Sequence, residues 1–458
     1  MKFSKSQIRC KTHKIPLLRF EDQQLTSYSG LVVFQKLFER LSLKSQLRQC
    51  FQHLKVSPIF GHASIVLLLI VHMLLGYRDL RHVRYYNNDP LVCRLLGLKQ
   101  LPDVSTISRT LTNIDHEGVT ALQHLMTELV VQRLSSLNLA RVTLDFDGSV
   151  IGTGRFAEGS AIGFNKKKKG QRSYYPLFCT IAQTGQVFDV LHRSGNVHDS
   201  NGAQTFILAC IARIRAAFPS VVVEVRMDGA FFSDAIVKAL DEAQVEYTIS
   251  VPFERFSELK TQIEARCHWY PINEQCDYFE ANWKPQSWQY RHRFVFVRQL
   301  SKQQHKQPLQ LDLFIPYDYD FDFKVIVTNK TLTAGRVMAF HNGRGSQENI
   351  FSELKSDNQL AYVPTRTWNA NKVYLLSVII AHNLNRELQM TAYPAARTTQ
   401  EKRPALWRFE KLDTLRKRLI QRAGRLIRPQ GKLTLSMSAN EVIEKELLHL
   451  LDAIEKVA

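Results

Sequence analysis

The chain has 458 residues, 45% of them hydrophobic and 10% aromatic, enough for roughly two to four packed domains and too much apolar content for a disordered segment. Its formal net charge of +19 and sequence pI of about 9.6 favour a polyanionic partner. No membrane partner is expected, because the most apolar run, Ile65 to Leu75, is too short to cross a bilayer and contains His72; it reads as a buried helix. The basic N-terminus lacks the apolar core and cleavage site of a secretory signal. Seven scattered cysteines without a CxxC pair, and a Cys267–His268–Cys276 spacing that fits no zinc site, read as reduced thiols in a cytoplasmic protein.

Residues 1–138 have helical periodicity, clear from Leu31 to Leu41, and are expected to form a helical DNA-binding domain. Within it, Asp103 is a candidate N-cap for a short polar helix bearing Ser105, Thr106, Ser108 and Arg109; Arg109 is a candidate DNA contact. The pattern changes at Arg141. "RVTLDFDGSV" reads as a strand, followed by a basic loop (Lys166, Lys167, Lys168, Lys169 and Arg172) suited to DNA backbone contact. The strands 174–182 and 186–192 form a hairpin, and a helix over 202–217 leads to the buried-type strand "VVVEVRMD". A helix over 231–243 and the strand "YTISV" complete five strands of a mixed α/β sheet, assigned to residues 139–252 and 324–400. Residues 253–323 interrupt this rhythm with alternating strands, a β-rich insertion holding Trp269, Trp283 and Trp288. The strand 323–329 returns to core-type sequence. From residue 401 the tail reads as helical and basic, with eleven Lys/Arg against three acids between Glu401 and Lys432.

After the 323–329 strand comes "HNGRGSQENIFSELK". On one helix, His341, Arg344, Glu348 and Lys355 fall within an arc of about 60°, while Glu353 points away. Alone, this is an ordinary amphipathic helix with an i,i+4 Arg–Glu pair. Two further acids change its meaning: Asp147 ends the first core strand and Asp228 the fourth, and functional groups in open α/β sheets gather beyond carboxyl ends of strands. Converging carboxylates repel unless cations neutralise them, and Mg²⁺ or Mn²⁺ suits oxygen ligands. Two such ions about 3.5–4 Å apart serve phosphoryl transfer. Asp145, two residues before Asp147 and on the same strand face, competes for the first position; Asp147 is preferred because "DGS" sits at the strand end.

The order Asp147, Asp228, Glu348 resembles the DDE triad of ribonuclease H-like transposases, and residues 341–355 resemble the Y-x2-R-x3-E-x6-K signature of bacterial insertion-sequence transposases, with histidine at the tyrosine position. The phrases "LDFDGSV", "GFNKKKKG", "MDGAFFSD" and "NGRGSQENIFSELK" look like one branch of that group, and the resemblance covers about residues 60–455. It implies a ribonuclease H-like five-stranded mixed sheet carrying the β-rich insertion, flanked by the helical N-terminal domain and the helical tail 401–458. It also implies cut-and-paste chemistry with two Mg²⁺ or Mn²⁺ ions: hydrolysis at the terminal inverted repeats of an element, then attack of the freed 3′-OH on target DNA. A dimer would synapse the two ends at the bacterial nucleoid. His341, Arg344 and Lys355 are expected at phosphates. If a hairpin forms, one of the three insertion tryptophans is expected to stack on a flipped base. The rival readings are a metal-dependent nuclease that cuts without joining and a non-catalytic DNA-binding derivative of a transposase. No P-loop motif supports an ATPase.

Overall fold

The computed structural model describes residues 18–19, 21, 23–55, 59–154, 156–163, 165, 168–197, 201–301, 321–398, 400 and 402–456. A short strand β1 (Leu25–Thr26) precedes six helices: α1 (Leu31–Arg40), α2 (Leu43–Cys50), α3 (His62–Leu75), α4 (Pro90–Leu96), α5 (Val104–Thr112) and α6 (His116–Ser135). Asp89, Asp103 and Asp115 cap the last three of these by accepting first-turn backbone N–H groups. Every residue of α3 from Ile65 to Leu75 is buried, and His72 Nδ1 meets the Tyr86 hydroxyl at 2.6 Å. Among the described residues, no helix is long and apolar enough to cross a membrane.

The sheet region follows. β2 (Arg141–Gly148) leads into β3 (Ile151–Gly152), β4 (Ala161–Ile162) and β5 (Arg172–Tyr174), which form a small separate sheet, then β6 (Leu177–Ile181) and β7 (Gln186–Leu191). Helix α7 (Ala203–Ala217) connects to β8 (Val222–Met227), and α8 (Asp234–Glu242) to β9 (Glu246–Val251). Beyond α9 (Ser257–Glu264) come β10 (Tyr270–Asn273), β11 (Cys276–Trp283), β12 (His292–Leu300) and β13 (Phe321–Thr328). Residues 302–320, part of the expected β-rich insertion, lie outside the described residues.

Among the described residues, the strands other than β1 and β3–β5 form one nine-stranded mixed sheet in the order β10-β11-β12-β13-β9-β8-β2-β6-β7, in which the insertion strands extend the expected sheet. Among the described residues, β2–β8 and β8–β9 are its parallel pairs. The physical reason for the larger sheet is that β13 has two bonding edges. One pairs with β9 and the other with the full length of β12, so the insertion continues the sheet.

Helices α10 (Ala334–Asn342), α11 (Gly345–Ser356) and α12 (Trp368–Ala392) come next. α12 is buried along most of its length and joins two cores. Its Asn383 amide accepts from the Val187 N–H at 2.9 Å and donates to the Val187 carbonyl at 2.8 Å, completing the bonding edge of β7 as another strand would. Its Glu387 receives Arg40 from α1 and Arg133 from α6, fixing the helical layer to it. The tail departs from the helical expectation. After a short helix α13 (Leu412–Leu415), the strands β14 (Gly424–Ile427) and β15 (Thr434–Met437) form an antiparallel pair before α14 (Glu441–Lys456). β14 also pairs with β1, placing Leu25 opposite Arg425.

Below the centre of the large sheet, Glu224 is fully buried between Thr143 and Glu246 on neighbouring strands. It contacts Lys330 Nζ at 2.8 Å, Arg403 Nε at 3.0 Å and Arg141 Nη1 at 3.1 Å. Burial would raise its pKa, but Lys330 and Arg403 outweigh burial and hold it at about 2.

Candidate active site

β2 and β8 are adjacent and parallel, with Phe146 opposite Met227 as the last paired residues. One residue further on each strand stand Asp147 and Asp228, so the register puts these carboxylates on neighbouring strand ends, about 4.8 Å apart at the backbone. Both are partly exposed. Asp147 accepts from its neighbouring Gly148 N–H at 2.7 Å and from Arg344 Nη1 at 3.1 Å. Asp228 caps a turn at Gly229–Phe231 through the Ala230 N–H at 3.0 Å.

The third acid arrives on α11. Gln347 donates to the Asp145 carbonyl at 2.9 Å, fixing the first turn of this helix over β2, and the exposed Glu348 follows it directly. Glu353, the other glutamate of the stretch, is buried, ion-paired with Arg386 and accepting from the Leu412 N–H. Its role is architectural. Lys355 is partly exposed in the last turn of α11.

Asp145 and Asp147 separate cleanly. Asp145 is buried against a fully buried Arg226, with Nε–Oδ1 at 2.5 Å and Nη2–Oδ2 at 2.7 Å. Arg226 also donates to the carbonyls of Phe340 and Lys402, at 2.9 and 2.8 Å. Sequence reasoning missed this residue. Its signal was present: an arginine inside "VEVRM" cannot be buried without an anionic partner, and "LDF" supplies one on the next strand. Arg226 ties β2, β8, α10 and the tail together directly behind Asp147 and Asp228.

His341 requires a correction. It lies in α10, not on the Arg344–Glu348 face, because the helix breaks at Gly343 and Arg344. It is 3% exposed, with Nε2 2.8 Å from Ser250 Oγ and Nδ1 3.1 Å from Thr248 Oγ1. Burial, with Lys324 and Arg344 nearby, pushes its pKa well down and keeps it neutral. Both ring nitrogens are thus engaged by hydroxyls of β9 rather than presented to a phosphate. Gly343 is required by close approach, since a Cβ there would stand 2.0 Å from Arg226 Nη1 and 2.0 Å from the Lys402 carbonyl oxygen.

Other expected contacts divide. Lys168, Lys169 and Arg109 are exposed, whereas Lys166 and Lys167 lie outside the described residues. Arg172 is engaged inside its small sheet, donating to Ser160 Oγ at 3.2 Å and the Ser160 carbonyl at 2.5 Å, so it is withdrawn as a phosphate contact. Trp283 and Trp288 are 9% and 6% exposed, the first edge-on to Phe294 and the second tilted against Phe232, and cannot stack on a base without leaving the core. Trp269 is half-buried, edge-on to Phe279 with Arg298 over its ring at 4.9 Å. Among the described residues, the three metal-ligating groups lying within 4.8 Å of one another are His53, Asp115 and Glu117, all exposed. Asp115 there caps α6 and His53 hydrogen-bonds to it.

The family model for "Transposase DDE domain group 1" matches residues 9–458. The chain belongs to this family. Among solved structures, it is similar to a piggyBac transposase synaptic complex with hairpin DNA, at 10% identity over 94% of this chain and 85% of that one, TM-score 0.38. A Mos1 transposase paired-end complex with left transposon end matches 42% of this chain and 59% of that one, at 9% identity and TM-score 0.18. No curated protein matches the chain in sequence.

Proposed function

We propose that this transposase cuts DNA at the terminal inverted repeats of its element and joins the freed 3′-OH to target DNA, with Asp147, Asp228 and Glu348 as its catalytic acids. The observation that carries the reading is the anchoring of α11 on β2, by Gln347 on the Asp145 carbonyl and Arg344 on Asp147, which supports Glu348, the next residue along, as the third acid. The order β9-β8-β2-β6-β7, with β2 and β8 parallel and β6 and β7 antiparallel, supports a ribonuclease H-like five-stranded core within the larger sheet, spanning 139–252 and 324–400. Residues 1–138 would serve as the helical DNA-binding domain and 401–458 as a basic C-terminal region.

The all-carboxylate donor set fits a hard divalent cation, Mg²⁺ or Mn²⁺. Two such ions held by Asp147, Asp228 and Glu348 would supply Lewis acidity at the scissile phosphate. Arg344 sets the rotamer of Asp147 before substrate arrives, and Lys355 with Arg344 provides donors for phosphate oxygens. Lys168 and Lys169 contact DNA backbone beyond the small sheet. A dimer would pair the two element ends, acting at the bacterial nucleoid.

The test is cleavage of a duplex carrying the inverted repeats that flank the gene. Asp147→Ala, Asp228→Ala and Glu348→Ala should each abolish metal-dependent nicking while DNA binding persists; full cleavage by any one removes that residue from the triad. Pre-cut ends then separate a transposase from a nuclease, since only the former joins them to target DNA. A hairpin route would appear as a covalently closed end in a denaturing gel.

A further inference from the structure

A groove of about 920 Å³ lies far along the chain from the three acids and on a different sheet. It runs between the segment leading into β1 and the helix α4, and its walls are unusually rich in amides, among them Gln23, Asn87, Asn88 and Gln100. Two cations, Arg94 and Lys99, line it. One acid, Glu21, also does, and accepts from Gln23.

The groove continues onto the tail. Leu426 N–H donates to the Gln24 carbonyl at 3.0 Å and Arg425 Nε to the Gln23 carbonyl at 3.0 Å, so the β14–β15 ribbon forms its extension. Ile427 and Thr434 are the last paired residues of the ribbon. The six residues between them, Arg428 to Leu433, are all exposed and turn through positive φ at Gln430 and Gly431. Arg425, Arg428 and Lys432 therefore project from one exposed ribbon. None of the five cations Arg94, Lys99, Arg425, Arg428 and Lys432 forms an ion pair with a described residue, in contrast to Arg418 and Lys417 next door, which are neutralised by Glu410 and Asp413.

Five uncompensated cations with amide side chains between them match one chemistry: a polyanion whose base edges offer paired donors and acceptors. We infer that this groove and ribbon form a second duplex-DNA site, in which the cations hold phosphates and the amides face base edges, built jointly by the two distant ends of the chain. The inference rests on the DNA-acting reading above and extends it to a surface that the catalytic acids do not touch.

The test is the salt dependence of binding to a fluorescent random-sequence duplex of about three helical turns, followed by anisotropy between about 50 and 200 mM salt. For B-DNA each phosphate contact contributes about 0.9 to the slope of log K against log salt. Arg428→Gln with Lys432→Gln, both on the exposed turn, should lower the slope by about 2, and adding Arg94→Gln and Lys99→Gln should lower it by about 2 more. A misfolded variant would bind less duplex at saturation without changing the slope, so damage and loss of contact are distinguished. An unchanged slope in the fourfold variant, with wild-type binding intact, overturns this site and leaves the catalytic reading standing. A wild-type chain that does not bind duplex at all overturns both.

Discussion

The strongest stability prediction concerns Glu224. Its carboxylate is wholly buried, yet its pKa is about 2 against an ordinary 4.5, because Lys330 and Arg403 more than offset the cost of burial. A depression of about 2.5 units at about 1.4 kcal/mol each makes the ionised form worth about 3 kcal/mol to the folded state. Since the folded-state pKa lies below the unfolded one, that contribution is complete above the unfolded pKa and drains away as pH falls toward the folded value. At about pH 3.5 roughly 2 kcal/mol remains, and almost none below pH of about 2. Glu224→Gln should therefore unfold at lower urea than wild type near pH 7, and the gap should narrow steadily below pH of about 4.5. Titration of carboxylates away from this cluster is common to both proteins and cancels in the difference, while Glu246 shares Lys330 and Arg141 with Glu224. A gap that is absent at neutral pH, or equal at about pH 7 and about pH 3.5, refutes the account.

Six other substitutions probe the site and the cores around it. Asp145→Asn should cost about 3–5 kcal/mol by leaving Arg226 buried and unpaired, whereas Asp147→Asn should leave the urea midpoint nearly unmoved and remove cleavage. Equal effects of the two on stability would contradict their different environments. Glu353→Gln should likewise destabilise by about 3–5 kcal/mol through Arg386, while the exposed Glu348→Gln should not; thermal melting compares them directly. Gly343→Ala should lower the melting temperature and weaken cleavage together, because its methyl group forces Arg226 or the Lys402 backbone aside; a wild-type melt would show that the junction yields freely. Trp283→Ala should cost about 3–5 kcal/mol as a core truncation, and a variant of wild-type stability would mean that the indole is not packed as described.

Much of the mixed sheet was readable because each strand carries its own local signal: β-branched runs, a "QTG" connection between β6 and β7, and helices of the right period between β7, β8 and β9. What stayed hidden depends on partners distant in sequence. Nothing in "RHRFVFVRQ" announces that its strand bonds to β13 and enlarges the central sheet, and nothing in "GRLI" announces a partner at Leu25. The site shows the same division. The separation of Glu348 from Glu353 follows from helical angle, and Asp145 and Asp147 differ because one strand position faces Arg226 and the next pleat opens at the sheet end. His341 was misplaced because a continuous helix was assumed through "NGRG", where the packing of Gly343 against Arg226 ends one helix and starts another.

The pairing of β1 with β14 sets a timetable for biosynthesis. Leu25 leaves the ribosome about 400 residues before Arg425, the residue it must lie beside. At about 5–20 residues per second, that edge waits roughly 20–80 s with unsatisfied backbone groups before its mate is made. A nascent chain that stalls anywhere before the tail therefore lacks the strand that completes the β1 pairing.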